Sequence, residues 1–280
     1  MVIFVGGQPG AGKTRAGADE VAATGQRVVA LIGDDLRVHH PKYREFLNLP
    51  EPNAMPDGTI QASGRWVEMG VDHAIAHRLS VLVEGTFRDP NTPLRTAQKF
   101  KDAGYRVRAV VVAVAPEVSR ASAAGRYLED LAGGKEARFT ALDAHDAAVK
   151  GMKRTVTALS RRDAPVDTLV VRSRTGVLFE IDRQPGRAIR GAWDAVKAEW
   201  DRKLNRAEYT NWQHTFQAVK RTIVAAAVTL AKGFEKFAAQ LDKDDHWLYR
   251  VQRGTHTGAC GAPTTRNRPC TRRGRCPYHG

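Results

Sequence analysis

The sequence predicts an α/β fold in which helices cover both faces of a doubly wound parallel sheet. Three observations predict it. A glycine-rich segment, 7–14, directly follows the apolar run 2–5 and precedes a helix-compatible stretch. Strand-like and helix-like segments then alternate as far as about residue 185, as in chains that build a parallel sheet. The Val/Ala run 106–114 is typical of a central parallel strand.

The first element is a strand that ends in a phosphate-binding loop. From residue 7 the chain reads G-Q-P-G-A-G-K-T, which matches the pattern G-x-x-x-x-G-K-T in the strand–loop–helix context that the pattern requires. Glycines let backbone N–H groups and a helix N-terminus face a phosphate. We expect Lys13 to reach the β- and γ-phosphates and the Thr14 hydroxyl to bind Mg²⁺. The residues predicted to bind the nucleotide are Gly7, Gln8, Pro9, Gly10, Ala11, Gly12, Lys13 and Thr14.

The next segments continue the alternation of strands and helices. A second buried strand is predicted over 27–32, and a helix over 59–79 that Thr59 caps. A third strand follows at 81–86. The segment 93–103 reads as a helix with Pro93 in its first turn.

After the central strand at 106–114, the pattern predicts helices over 116–131 and 140–160. Strands are predicted at 168–171 and 177–181, the second of them at a sheet edge. Between 187 and 248 the apolar residues recur at helical spacing, which predicts a helical hairpin. The chain therefore divides into a phosphate-loop domain (1–185), a helical extension (186–249) and a tail (250–280).

Composition and charge limit the class of protein. The 44 Lys and Arg residues exceed the 30 Asp and Glu residues, for a net charge of +14, which favours anionic partners. The longest apolar runs are too short to span a bilayer, so no membrane role is expected. Met1 leads straight into the first strand, without a signal peptide. With three cysteines, all late in the chain, we expect a cytoplasmic protein.

The tail carries all three cysteines, seven arginines and no acidic residue. Cys260, Cys270, Cys276 and His279 supply four ligands of the kind that tetrahedral Zn²⁺ prefers, so we interpret the tail as a small zinc-binding unit. Its arginines would suit the phosphates of a nucleic acid. A disordered basic tail with free thiols is the alternative.

Polar clusters follow the predicted strands, at the edge where open α/β sheets bind their ligands. Asp34 and Asp35 follow the second strand, and segment 84–88 follows the third. A carboxylate opposite the γ-phosphate can accept a proton from an attacking hydroxyl. Arg126 and Arg138 flank a segment with two glycines, and such arginines can neutralise the charge on a transferred phosphoryl group.

These motifs together resemble the zeta toxins of bacterial toxin–antitoxin systems, over residues 2 to about 160. The matching segments are G-Q-P-G-A-G-K-T (7–14), G-D-D-L-R-V-H-H-P (33–41), E-G-T-F-R (84–88), P-L-R-T-A (93–97), G-R-Y (125–127) and A-R-F-T (137–140). The resemblance implies a P-loop kinase-like fold and an ATP-dependent kinase. The implied acceptor is the 3′-hydroxyl of the amino sugar of UDP-N-acetylglucosamine, and the implied partner is a small antitoxin protein.

The resemblance also implies a role for each matched position. Asp34 corresponds to the catalytic base, Lys13 and Thr14 to the ligands of ATP and Mg²⁺, and Arg126 and Arg138 to the arginines that stabilise transfer. The positions that match the sugar-nucleotide pocket are Glu84, Thr86, Arg88 and Thr96. Two positions depart from the family pattern: Asp35 stands where Ser or Thr is usual, and Phe87 is bulky. The Asp35 carboxylate would either raise the pKa of Asp34 or change which acceptor fits.

Two other functions fit the residues. One is the same phosphoryl transfer to a different acceptor: an NAD-like dinucleotide, another nucleotide sugar or a nucleic-acid base. The other is a non-catalytic, nucleotide-gated module that binds nucleic acid through the tail. Asp34 with two arginines argues against the second, since a switch needs no base that faces a hydroxyl.

Overall fold

A computed structural model describes residues 1–49, 54–224 and 233–253 of the chain, which form a six-stranded sheet covered by helices. The strands are β1 (Val2–Gly6), β2 (Val29–Ile32), β3 (Val81–Gly85), β4 (Val107–Val112), β5 (Thr168–Arg172) and β6 (Val177–Asp182). The α-helices are α1 (Lys13–Thr24), α2 (Gly33–Leu36), α3 (Tyr43–Leu47), α4 (Ala54–Ala76), α5 (Asn91–Asp102), α6 (Pro116–Ala132), α7 (Leu142–Leu159), α8 (Ala192–Asp201), α9 (Arg206–Val224) and α10 (Phe234–Arg253).

The strand order, β2-β3-β1-β4-β5-β6, places the phosphate loop at the centre of the sheet. The first five strands of this order run parallel, and β6 pairs antiparallel with β5. The chain moves from β1 to one side of it for β2 and β3, and then to the other side for β4. Open α/β sheets bind ligands at such a reversal of strand order. The predicted α/β fold and its edge strand are therefore confirmed.

Alternate residues of β1 enter two different cores. Val2 and Phe4 pack in the larger hydrophobic cluster, and Ile3 and Val5 in another. Successive side chains of a strand point to opposite faces, so a strand covered on both faces needs a continuous apolar run. The run 2–5 meets that need, which is why it was readable in the sequence.

Strand β2 is not the buried strand that its apolar sequence predicts. It lies at the sheet edge and pairs with β3 alone among the described strands, and Val29 is 47% exposed. An apolar run of this length does not distinguish an edge strand from a central one, because position in the sheet is set by pairing.

The helix before β3 also differs from its prediction. Thr59 lies within α4, is fully buried, and donates a hydrogen bond from Oγ1 to the Met55 carbonyl (2.7 Å), so it does not cap the helix. The face that packs on the core carries Val71 and Ala74, whereas Ile60 and Met69 from the predicted apolar set are exposed.

The helices after residue 185 pack on the rest of the protein in two places. Ala192 and Val196 of α8 join the larger core beneath the sheet. Helices α9 and α10 pack with α6 in a second core, in which Phe216 and Leu241 are buried. Helix α10 continues to Arg253, beyond the predicted start of the tail at residue 250. Within the described ranges, no helix is both long and apolar enough to cross a membrane.

Candidate functional site

The phosphate loop connects the end of β1 to the first turn of α1. Gly10 (φ +77°) and Gly12 (φ +91°) adopt left-handed backbone conformations, and Gly12 caps α1. A Cβ on Gly10 would lie 2.1 Å from the Ser119 carbonyl oxygen, so only glycine fits there. The loop therefore presents a helix N-terminus to the carboxyl edge of the sheet, which is an arrangement that favours anions.

A buried polar network holds the loop from behind. The Gln8 side chain is fully buried and donates from Nε2 to the Val114 carbonyl (2.6 Å) and to Ser119 Oγ (3.2 Å). Ser119 Oγ lies 2.9 Å from His145 Nε2, and the His145 ring is also fully buried. Burial lowers the pKa of His145, so its ring is neutral near pH 7. The serine and histidine are shut off from substrate, so we interpret the network as structural support.

Two side chains of the loop meet a carboxylate from β3. Lys13 Nζ lies 3.9 Å from Glu84 Oε1, and Thr14 Oγ1 donates to Glu84 Oε2 at 3.3 Å. Burial lowers the pKa of Lys13, against the opposing charges of Glu84 and Asp34. Burial also raises the pKa of Glu84. The family resemblance predicts that Glu84 lines the acceptor pocket. In the structure its carboxylate lies beside Lys13 and Thr14, the residues predicted to bind ATP and Mg²⁺.

Asp34 lies in the first turn of α2, where its side chain is 66% exposed. Arg37 Nε donates to Asp34 Oδ1 at 2.9 Å, and Arg138 Nη1 donates to the Asp34 backbone carbonyl at 3.1 Å. The surrounding protein partly desolvates this carboxylate and by itself would raise the pKa of Asp34, but the charges of Arg37, Arg138 and Lys13 outweigh that effect and lower the pKa. The pKa of Asp34 is therefore shifted in the direction opposite to the rise that Asp35 would cause. The carboxylate is ionised and able to accept a proton.

The sequence did not single out Arg37 as a site residue. Its Nη1 also donates to the Pro56 carbonyl (2.8 Å) and to Thr59 Oγ1 (2.7 Å). It thus ties the Asp34 carboxylate to the start of α4. The readable signal was the i,i+3 spacing of Asp34 and Arg37, because residues three apart on a helix are neighbours.

The two arginines predicted to stabilise transfer come to the same edge of the sheet. Arg126 is exposed on α6, and its charge lowers the pKa of Lys13. Arg138 lies between α6 and α7, in contact with Asp34. Gly134 (φ +64°) lies in the segment that separates them. Two arginines, one on α6 and one between α6 and α7, thus bring positive charge to the region of Lys13 and Asp34.

The remaining predicted acceptor residues lie at the exit of β3 and on α5. Thr86 and Arg88 are exposed, and Thr96 donates its hydroxyl to the Thr92 carbonyl at 3.1 Å. Phe87, between Thr86 and Arg88, is buried with φ +52°, and its ring covers Gly6. The bulk of Phe87 therefore lies in the core and leaves the two flanking side chains toward solvent.

Helix α7 holds this exit segment in place. Thr155 Oγ1 donates to the Phe87 carbonyl at 2.7 Å. A Cβ on Gly151 would lie 2.0 Å from the Arg88 carbonyl oxygen, so the glycine allows the close approach. The unusual backbone at Phe87 is thus fixed by tertiary contacts.

The site offers oxygen ligands to a metal ion. Thr14 and Glu84 present a hydroxyl and a carboxylate side by side, which suits Mg²⁺, an ion that keeps waters and shares substrate phosphates. In the described ranges, no three His, Cys, Asp or Glu side chains cluster to hold a metal on their own. The predicted zinc ligands Cys260, Cys270, Cys276 and His279 lie outside the described residues, as does the basic stretch predicted to meet nucleic acid.

Residues 1–184 match the family model described as Zeta toxin. Toxin PezT of Streptococcus pneumoniae is 33% identical over 147 residues, which are 52% of this chain and 58% of that protein. Toxin zeta of Enterococcus hirae is 30% identical over 151 residues, 54% of this chain and 52% of that protein. The chain thus spans little more than half the length of these relatives.

A solved structure shares the fold. It comes from work on the PezAT chromosomal toxin-antitoxin system of Streptococcus pneumoniae, and it superposes with a TM-score of 0.64 at 24% identity. The superposition covers 80% of this chain and 86% of that one. The matched share of this chain exceeds what residues 1–184 alone provide, so the structural likeness extends beyond the family match.

Proposed function

The chain belongs to the zeta toxin family, and we propose that it is an ATP-dependent phosphotransferase that phosphorylates a hydroxyl group of a small acceptor. The observation that carries this proposal is the meeting of three kinds of group at one sheet edge. Lys13 of the phosphate loop, the ionised Asp34 and Arg138 all lie there. Phosphoryl transfer needs a phosphate site, a proton acceptor for the attacking hydroxyl and positive charge near the transferred group.

The phosphate loop would bind the triphosphate through its backbone N–H groups. Lys13 would then exchange its Glu84 contact for the β- and γ-phosphates. Mg²⁺ held at Thr14 and Glu84 would neutralise charge on those phosphates. The desolvated Lys13 interacts more strongly with an anion than an exposed lysine would.

Asp34 would act on the acceptor side. Its carboxylate would accept the proton of the attacking hydroxyl while the oxygen forms its bond to the γ-phosphorus and the bond to the β-phosphate oxygen breaks. Arg138 and Arg126 would stabilise the charge on the equatorial oxygens during transfer. Arg37 would keep the Asp34 carboxylate in place, as a positioning residue.

For the acceptor we propose UDP-N-acetylglucosamine, at the 3′-hydroxyl of its amino sugar. Support comes from the family and from the placement of Thr86 and Arg88, which are exposed beside the site on a segment that α7 fixes. An exposed arginine next to a phosphate loop suits the diphosphate of a nucleotide sugar. We propose a small antitoxin protein as the partner, on the same family grounds.

The test is to incubate purified protein with ATP, Mg²⁺ and UDP-N-acetylglucosamine and to identify the products by mass spectrometry. We expect one added phosphoryl group on the nucleotide sugar, and none with Lys13→Ala or Asp34→Asn. Asp35→Asn is the matched control, since it removes the neighbouring charge and leaves the proposed base. We expect this variant to keep most of the activity.

Two results would count against parts of the proposal. ADP formed without a phosphorylated sugar would reject the acceptor and redirect the search to dinucleotides, other nucleotide sugars and nucleic-acid bases. No nucleotide binding and no ADP would reject the phosphotransferase itself.

A further inference from the structure

A cavity of about 240 Å³ lies beside the phosphate loop, on the side away from Asp34. Its walls come from α6, from the turn after β5 and from the helices that follow residue 186. Among its lining residues, Ala121 and Trp212 are apolar and buried, while Asn211 and Thr215 bring polar groups. Most of the lining surface is apolar, and the charged residues in it are Arg174, Glu199, Arg202 and Glu208. A mostly apolar pocket with convergent polar groups is typical of a small-molecule site. The volume is below the ~300–1,000 Å³ that holds a whole drug-sized ligand, so it suits one end of a ligand.

Arg174 connects the cavity to the loop. Its Nη2 donates to the Gly10 carbonyl at 2.6 Å and to Ser122 Oγ at 2.8 Å. It lines the cavity and also lies 3.8 Å from the position that a Cβ on Gly12 would take. A ligand with phosphates in the loop and its other end in the cavity would therefore pass along this guanidinium.

The wall of the cavity that α9 forms is held in place by contacts of Trp212 and Thr215. Trp212 stacks on Phe216, with ring centroids 5.1 Å apart, and donates from Nε1 to the Glu117 carbonyl at 3.1 Å. A Cβ on Gly125 would lie 2.8 Å from Thr215 Cγ2, so α6 and α9 approach closely at this point.

An ion-pair network closes the corner between α8 and α9. Arg202 donates from Nε to Glu199 Oε2 (2.7 Å) and from Nη2 to Glu208 Oε1 (2.6 Å). These hydrogen bonds raise the pKa of Arg202 and lower the pKa of Glu208, so both groups stay charged. The wall is thus organised before any ligand binds, which lowers the cost of binding.

The direction of a bound nucleotide follows from the strand order. Asp34 follows β2, on one side of β1, and a triphosphate poised for transfer must point its γ-phosphate toward it. Arg174 follows β5, on the other side of β1. Because the nucleoside is attached at the opposite end of the phosphate chain, it must leave the loop on the β5 side, where the cavity lies.

We propose that the helices after residue 186, outside the segment that matches the family, complete the donor-nucleotide site. The cavity takes the base of the nucleotide against Trp212 and Ala121, and Asn211 and Thr215 are the polar groups that contact it. This inference rests on the proposed function, since it takes the loop to hold the phosphates of the donor. Residues of α9 would then determine how tightly the nucleoside end binds.

The first experiment compares two ligands of the full-length protein in Mg²⁺ buffer, ADP and inorganic tripolyphosphate, by calorimetry and tryptophan fluorescence. We expect both ligands to bind but only ADP to change the emission, because tripolyphosphate has no base. The ADP-dependent change should vanish in Trp212→Phe, which keeps the aromatic packing on Phe216. ADP binding without this Trp212 signal would overturn the inference and leave the proposed function standing. Failure of both ligands to bind would overturn the two together.

A second experiment assigns the polar contact. We expect Asn211→Ala to weaken ADP binding about tenfold, the loss of roughly one hydrogen bond, and to leave tripolyphosphate binding unchanged. His214→Ala, an exposed position of α9 that does not line the cavity, is the matched control and should bind both ligands as the unaltered protein does. An equal effect of Asn211→Ala on the two ligands, including none, would remove Asn211 from the site.

Discussion

Arg120 of α6 donates two parallel hydrogen bonds to Asp244 of α10, from Nε to Oδ2 at 2.8 Å and from Nη2 to Oδ1 at 2.9 Å, and both side chains are buried. Arg120 also pairs with Asp146 of α7 at 3.1 Å. Arg120 is the neighbour in sequence of Ser119, which accepts the hydrogen bond of Gln8 from the phosphate loop. Asp244, although it lies far along the chain, is thus connected to the phosphate loop through Arg120 and Ser119.

Asp244→Ala should destabilise the protein by ~3–5 kcal/mol, because it leaves the Arg120 guanidinium buried with one acidic partner fewer. Denaturant unfolding followed by circular dichroism would measure the loss. Asp242→Ala, two residues earlier, removes a half-exposed pair with Lys220 (2.8 Å) and should cost less than ~1 kcal/mol. Equal losses in the two variants would contradict the structural role of the buried pair.

Gly10→Ala should abolish nucleotide binding, because the added methyl group would meet the Ser119 carbonyl at 2.1 Å in addition to the strain of a positive φ. Gly104 has nearly the same φ, +78°, with open space around the added atom. Gly104→Ala therefore measures the strain of the positive φ without a steric clash. We expect it to lower the free energy of unfolding by only ~1–2 kcal/mol and to leave nucleotide binding intact. ADP titration calorimetry on both variants checks the difference, and retained binding in Gly10→Ala would refute it.

Arg37→Ala should move the acidic limb of the activity profile to higher pH. The Arg37 charge and hydrogen bond lower the pKa of Asp34 against the desolvation by nearby protein groups, so without them the carboxylate holds its proton to a higher pH. The profile of kcat/KM between pH 4 and 8, roughly the range around ordinary Asp and His pKa values, would report the shift. Arg44→Ala, at a mostly exposed pair with Glu136, serves as the control. If the acidic limb did not move, protonation of Asp34 would not control kcat/KM, and Asp34 would not be the proton acceptor.

His145 should make the folded protein less stable as the pH falls. Its pKa in the folded state lies below the unfolded value of about 6.5, because burial disfavours the charged ring despite the nearby Asp146. Between the two pKa values the unfolded chain therefore binds more protons, and stability rises with pH by up to ~1.4 kcal/mol per pH unit from this group.

The measurement is the free energy of unfolding at several pH values between about 5 and 7.5, a window that spans the unfolded His pKa. His145→Gln keeps a polar group near Ser119 but does not titrate, so its stability should depend less on pH than that of the unaltered protein. Identical pH dependence in the two proteins would show that His145 does not titrate differently on unfolding.

Much of the fold was readable because its signals are local. The phosphate loop, the apolar runs of β1 and β4 and the helices from α5 to α7 follow from backbone sterics and side-chain periodicity over a few neighbouring residues. The parallel order of the strands placed Asp34, Glu84 and the loop at one edge. Their chemical roles stay predictions until the variants are assayed.

Sequence patterns alone therefore determined the class of fold, the phosphate loop and which polar residues gather at the carboxyl edge of the sheet, because each depends on spacing along the chain. Only the tertiary structure decided that β2 lies at an edge, that Arg37 binds Thr59, that Phe87 covers Gly6 and that the late helices wall a cavity beside Arg174. These are contacts between residues far apart in sequence. No local spacing encodes them, because they exist only when packing brings the two partners together.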